Sequence, residues 1–142
     1  MDGLIELGRL DPEALARWYA RASIFVLPAR YEPFGLSVLE AALAGCALVL
    51  GDIPSLREIW TDAAIFVPPD DRVKLRAALR MLIQDSALRD RFAQRARARA
   101  SSLTSERMGQ QYLQLYKTLL SRRSQTVADV GLLQAKKAYL SR

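Results

Sequence analysis

The chain has 142 residues, 51% hydrophobic and 25% charged, the balance of an ordinary globular domain with enough apolar surface to build a core. It contains no histidine and a single cysteine, Cys46, which excludes Ser/His/Asp and Cys/His catalysis, HExxH zinc sites, an internal disulfide and a cysteine-rich metal site within this sequence. The formal net charge of +6 permits nucleic acid, anionic lipid or nucleotide phosphate as partners and selects none of them. No apolar run approaches the roughly 20 residues that span a bilayer, and the N-terminus begins Met-Asp-Gly-Leu-Ile-Glu, acidic where a signal peptide is basic. A soluble cytoplasmic protein is the expectation.

In chain order, Leu4-Ile5-Glu6-Leu7 reads as a short strand ending at Gly8. Asp11-Pro12-Glu13 opens a helix, with Asp11 suited to the N-cap and Pro12 to the first helical position. Leu15, Trp18, Tyr19 and Ala22 give that helix one apolar face. Ile24 to Leu27, Ala47 to Leu50 and Ala64 to Val67 are unbroken apolar runs of the kind buried on both faces of a parallel sheet. Between them, Gly35 to Ala44 reads as a helix with Gly45 as its left-handed terminator, and Ser55 to Trp60 as a short helix. Three helices follow, about Arg72 to Gln84, Ala87 to Ala100 and Ser105 to Ser121, with Asp71, Ser86 and Thr104 as caps.

Alternation of this kind predicts an α/β fold, a Rossmann-like parallel sheet of four strands with flanking helices. Ligands bind such sheets at the carboxyl ends of the strands. The informative segment is there: Pro28-Ala29-Arg30-Tyr31-Glu32-Pro33-Phe34-Gly35-Leu36-Ser37-Val38-Leu39-Glu40. Gly35 lets a ligand approach the backbone, and the amides of Phe34, Gly35, Leu36 and Ser37 are expected to be open donors at the positive end of a helix. Glu32 precedes that end and Glu40 lies one turn inside it. A structural account of the same residues also stands: Ser37 and Glu40 fit a capping box, Glu32 pairs with Arg30, and Ser55 with Glu58 forms a second box.

Glu32 and Glu40, with seven residues between them, in the frame E-P-F-G-L-S-V-L-E-A followed by A-L-A-G-C-A-L-V-L, resemble the E-x7-E motif of retaining glycosyltransferases of the GT-B fold, family 4 (group 1). Gly8 to Ala22, Gly51-Asp52-Ile53-Pro54 with Glu58, and Ala64 to Asp71 are similar to neighbouring segments of that family. The resemblance implies a partial C-terminal GT-B domain over residues 1–122 that binds a nucleotide sugar, with a weakly structured tail over 123–142. It implies that Glu32 is the catalytic residue, contacting the donor sugar's hydroxyls near the reacting carbon. Phe34, Gly35, Leu36 and Ser37 then give donors to the sugar and diphosphate, and Glu40 holds the ribose. It implies a nucleotide-diphosphate sugar as substrate, no cofactor and no metal. The last helix of the family crosses toward the other domain. The N-terminal acceptor lobe and the basic pair that grips the diphosphate are not in this sequence, so transfer by this chain is expected only with a partner lobe. Arg9 and Arg30 are the basic residues near the predicted loops, and Ala29 stands where the family often has serine.

Arg89, Arg91, Arg95, Arg97 and Arg99 form a basic run that suits a solvated helix face or peripheral contact with an anionic membrane, and the scarcity of interleaved aromatic residues speaks against nucleic acid. Met108, Tyr112, Leu115, Tyr116 and Leu119 recur at helical spacing and read as core, with part of the stripe expected to be exposed where the other domain of the family is missing, and Cys46 reads as a small buried hydrophobe. Two other functional readings stay open at this point: a small basic, non-catalytic binding module, and a truncated remnant.

Overall fold

A computed structural model describes residues 3–121. The chain divides between Ser102 and Leu103 into two compact units.

The first unit is a parallel three-stranded sheet with helices on both faces. Strands β1 (Ile24–Leu27), β2 (Ala47–Gly51) and β3 (Ala64–Val67) lie in the order β1-β2-β3. Ile24 faces Ala47 and Leu27 faces Leu50 in one ladder; Leu48 faces Ala64 and Gly51 faces Val67 in the other. All three are the unbroken apolar runs of the sequence. The central strand β2 is buried along its whole length, the burial that a run without polar alternation requires.

Helix α1 (Pro12–Arg21) precedes β1, α2 (Leu36–Leu43) joins β1 to β2, and α3 (Pro54–Trp60) joins β2 to β3. Helices α4 (Arg72–Gln84) and α5 (Ser86–Ser101) follow. Strand periodicity divides the core in two. Leu48 and Leu50 point into a cluster with Val38, Ala41, Leu56, Trp60 and Ala96, while Ala47 and Val49 point into one with Val67, Ala78 and Leu82. Cys46 is fully buried in the first cluster, and burial pushes its thiol pKa up, so it behaves as a small core residue.

The caps follow local chemistry. Asp11 accepts from the Ala14 amide at 2.7 Å with Pro12 as first helical residue, and Asp71 accepts from the Lys74 amide at 2.9 Å. Gly45, at φ 95°, is the left-handed residue after α2. Asp85, and not Ser86, caps α5 by accepting from the Leu88 amide at 2.8 Å, because the helix begins one residue earlier than its apolar periodicity suggests.

The expected first strand does not form. Leu4 to Leu7 takes no sheet position, and Leu4 and Ile5 are 69% and 68% exposed. An apolar tetrapeptide becomes a strand only when a neighbour takes its backbone hydrogen bonds, and none of the three strands does so. The sheet therefore has three strands among the described residues, not four.

In the second unit, residues 105–121 are helical, α6, with Thr104 Oγ1 accepting from the Arg107 amide at 3.2 Å. Met108, Tyr112, Leu115, Tyr116 and Leu119, expected in a core with part of the stripe exposed, are all exposed. The expected tail over 123–142 lies outside the described residues.

Candidate functional site

The carboxyl ends of β1, β2 and β3 bring three loops side by side. Pro28 ends β1, the chain turns through Ala29 to Phe34, and α2 starts from Gly35. Gly35 takes φ 81° and ψ 65°, in the left-handed region. A Cβ there would lie 2.8 Å from Cγ2 of Val38. Backbone conformation and the buried Val38 both require glycine at this point.

The Glu32 carboxylate turns onto the start of α2. Its Oε1 accepts from the Gly35 amide at 2.8 Å and from the Phe34 amide at 3.4 Å. Two of the four amides expected to be open are therefore taken by the chain's own acid. A negative group three residues before a helix satisfies orphan donors and the dipole together when no outside anion competes. The amides of Leu36 and Ser37 sit in the first turn, where no intrahelical carbonyl is within reach. Leu36 is exposed and Ser37 half-buried.

Both expected capping boxes fail to form. Ser37 is the second residue of α2, not its cap, and the residue at the cap position, Gly35, has no side chain to make a cap bond. Ser55 is likewise the second residue of α3, whose cap position is Ile53. The Ser55 hydroxyl instead donates to the Glu32 carbonyl at 2.6 Å. Gly51 closes the same seam, since a Cβ on it would stand 2.3 Å from the Ala29 carbonyl oxygen. Arg30 does not pair with Glu32; its Nε donates to Asp70 at 2.9 Å, and Nη2 reaches the same oxygen. Thus the loop that carries Glu32 is tied to the loops after β2 and β3. These ties were not legible as sequence motifs. The available signal is topological, since adjacent parallel strands place their following loops next to each other.

Glu40 occupies a different surface. It faces a groove of about 490 Å³ between α1 and α2, with Leu10, Leu15, Tyr19 and Leu43 among its walls. The Tyr19 phenol is held above its ordinary pKa, first by burial and then by the nearby Glu40 charge, so it stays a proton donor at neutral pH. Tyr19 is fixed by an edge-on contact with Phe25, ring centroids 5.9 Å apart. The groove therefore offers apolar walls, one carboxylate acceptor and one phenol donor. The sequence marks Tyr19 as core; its hydroxyl's place beside Glu40 depends on how α1 packs on α2. Glu32, Phe34 and Gly35 meet directly, and no side-chain hydrogen bond joins Glu40 to them among the described residues.

On the other flank, Arg57 pairs with both carboxylate oxygens of Asp52 and stacks over Phe66 at 4.7 Å. Hydrogen bonding to Arg57 holds the Asp52 carboxyl below its ordinary pKa.

A parallel α/β layer with a glycine-started helix at the carboxyl end of its first strand is the architecture of half of a GT-B fold. A sucrose-phosphate synthase from Thermosynechococcus elongatus matches it with a TM-score of 0.70 at 30% sequence identity, over 81% of this chain and 30% of that one. The family model described as Glycosyl transferases group 1 matches residues 2–99. The chain belongs to that family. It is 34% identical over 113 residues to an O-antigen chain mannosyltransferase B of Escherichia coli, covering 80% of this chain and 30% of that protein. It is 42% identical over 98 residues to a glycogen synthase of Mycobacterium tuberculosis, covering 68% of this chain and 24% of that protein. The chain thus spans less than a third of the length of these relatives.

Proposed function

We propose that this chain is the donor-binding portion of a retaining glycosyltransferase, and that it transfers a sugar from a nucleotide-diphosphate sugar once an N-terminal lobe, in the same protein or a partner chain, completes the cleft. The observation that carries this reading is the meeting of Glu32 with the Phe34 and Gly35 amides at the start of α2, one turn from Glu40 and its groove. The donor's sugar and phosphate oxygens take the place of the Glu32 carboxylate at the amides of Phe34, Gly35, Leu36 and Ser37. The displaced carboxylate then stands beside the reacting carbon, where an oxocarbenium-like transition state gains positive charge. The nucleoside lies along the α1–α2 groove, with Glu40 accepting from ribose hydroxyls. Metal-free transfer in the cytoplasm is part of the same proposal. Among the described residues no helix is long and apolar enough to cross a membrane.

Steady-state kinetics of the completed enzyme test the division of labour. Glu32→Gln removes charge where the transition state gains it and lowers kcat by ~10²–10³. Glu40→Gln removes ground-state and transition-state binding alike, so donor KM rises with a smaller change in kcat. An unchanged donor KM for Glu40→Gln removes the ribose role.

A further inference from the structure

The charge of this chain is strongly segregated. Residues 1–71 hold five Lys/Arg and eleven Asp/Glu, whereas residues 72–101 hold nine Lys/Arg and two Asp/Glu. The second stretch is α4 and α5, so the acidic half carries the strand-end loops and the basic half is a pair of helices. Between Arg72 and Gln84, α4 has no acid at all.

Helix α4 has two unlike faces. Leu75, Ala78, Leu79 and Leu82 pack into the core. Val73, Arg76, Arg80 and Ile83, spaced by three, four and three residues, form a stripe on the side away from it. Val73 is 79% exposed and Ile83 65%, so two large apolar side chains flank two arginines in water. Neither Arg76 nor Arg80 is in an ion pair among the described residues. On α5, the Arg95 guanidinium lies 6.0 Å from the Phe92 ring, and Phe92 packs against the core that α4 closes.

We propose that this face of α4 is a docking surface for an anionic lipid bilayer, with Arg76 and Arg80 on lipid phosphates and Val73 and Ile83 entering the boundary of headgroups and acyl chains. Charge complementarity selects the partner's sign. The partner is membrane rather than nucleic acid because the residues between the cations are aliphatic. Single-stranded nucleic acid needs exposed aromatic rings on which bases stack, and the stripe has none. The inference does not rest on the donor-site reading, since no residue is shared.

Flotation of the full 142-residue chain with phosphatidylcholine vesicles, with and without phosphatidylglycerol, tests it. The chain floats with the anionic vesicles, not with the neutral ones, and high salt weakens the association. Arg76→Glu with Arg80→Glu lowers the bound fraction at least tenfold, and Val73→Ser with Ile83→Ser lowers it several-fold at unchanged net charge. All four sites are on the surface, and circular dichroism confirms that each pair of substitutions keeps the fold. Equal flotation with neutral vesicles, or none with anionic ones, overturns the proposal. So does undiminished binding by either variant, which moves the contact to other cations such as those of residues 122–142. Capture by an RNA oligonucleotide in place of vesicles overturns it as well.

Discussion

Gly35 and Glu32 set the geometry of the turn on which the site is built. Gly35 holds a left-handed backbone at the start of α2, and Val38 fills the space a side chain would need. Gly35→Ala therefore strains the backbone and crowds Val38 at once. It is expected to destabilise the fold by ~1–2 kcal/mol from the backbone alone, read as a lower urea midpoint at unchanged m-value; an unchanged midpoint shows that the turn relaxes freely. Glu32 shows how far sequence reasoning reaches at this scale. An acid just before a helix is equally suited to face a ligand or to cap the helix, and the residue types are the same in both cases. The structure has it capping, so the amides expected to be open at Phe34 and Gly35 are held by the chain itself. The Ser55 hydroxyl on the Glu32 carbonyl had no local signature, because it joins positions 23 residues apart.

At the scale of elements, the three strands were legible because a continuous run such as Leu48-Val49-Leu50 fits only a position buried on both sides. Leu4 to Leu7 has similar residues and forms no strand, because its fate depends on a neighbour that four residues cannot reveal. Helix starts were legible to within a residue where an aspartate stood ready, as Asp11 and Asp71 did. Contacts between elements were not legible. The Asp52–Arg57 pair, which ties the β2–α3 turn to the first turns of α3, predicts a pH effect. The folded-state pKa of Asp52 lies below its unfolded value, so the pair's contribution is complete above the ordinary aspartate range and is lost as pH falls through the folded value. Thermal midpoints between about pH 5 and pH 3 should fall more steeply for the native chain than for Asp52→Asn. Parallel curves would show that the pair adds nothing to stability in water, as many exposed pairs do.

At the scale of the whole chain, residues 1–71, which include the strand-end loops, are rich in acid, and α4 and α5 are rich in base. The chain spans less than a third of the length of its mannosyltransferase and glycogen synthase relatives, and on the proposed reading its donor surface is one wall of a larger cleft. A single wall binds weakly, which makes residue-resolved detection the appropriate measurement. Titration of the isotope-labelled chain with a nucleotide-diphosphate sugar, followed amide by amide by NMR, tests the donor site directly. Shifts should concentrate at Phe34, Gly35, Leu36 and Ser37 and along the α1–α2 groove at Tyr19 and Glu40, and Glu40→Gln should weaken them. Shifts that leave the first turn of α2 untouched, or that are the same in Glu40→Gln, would contradict the assignment of this helix start and its groove to the donor.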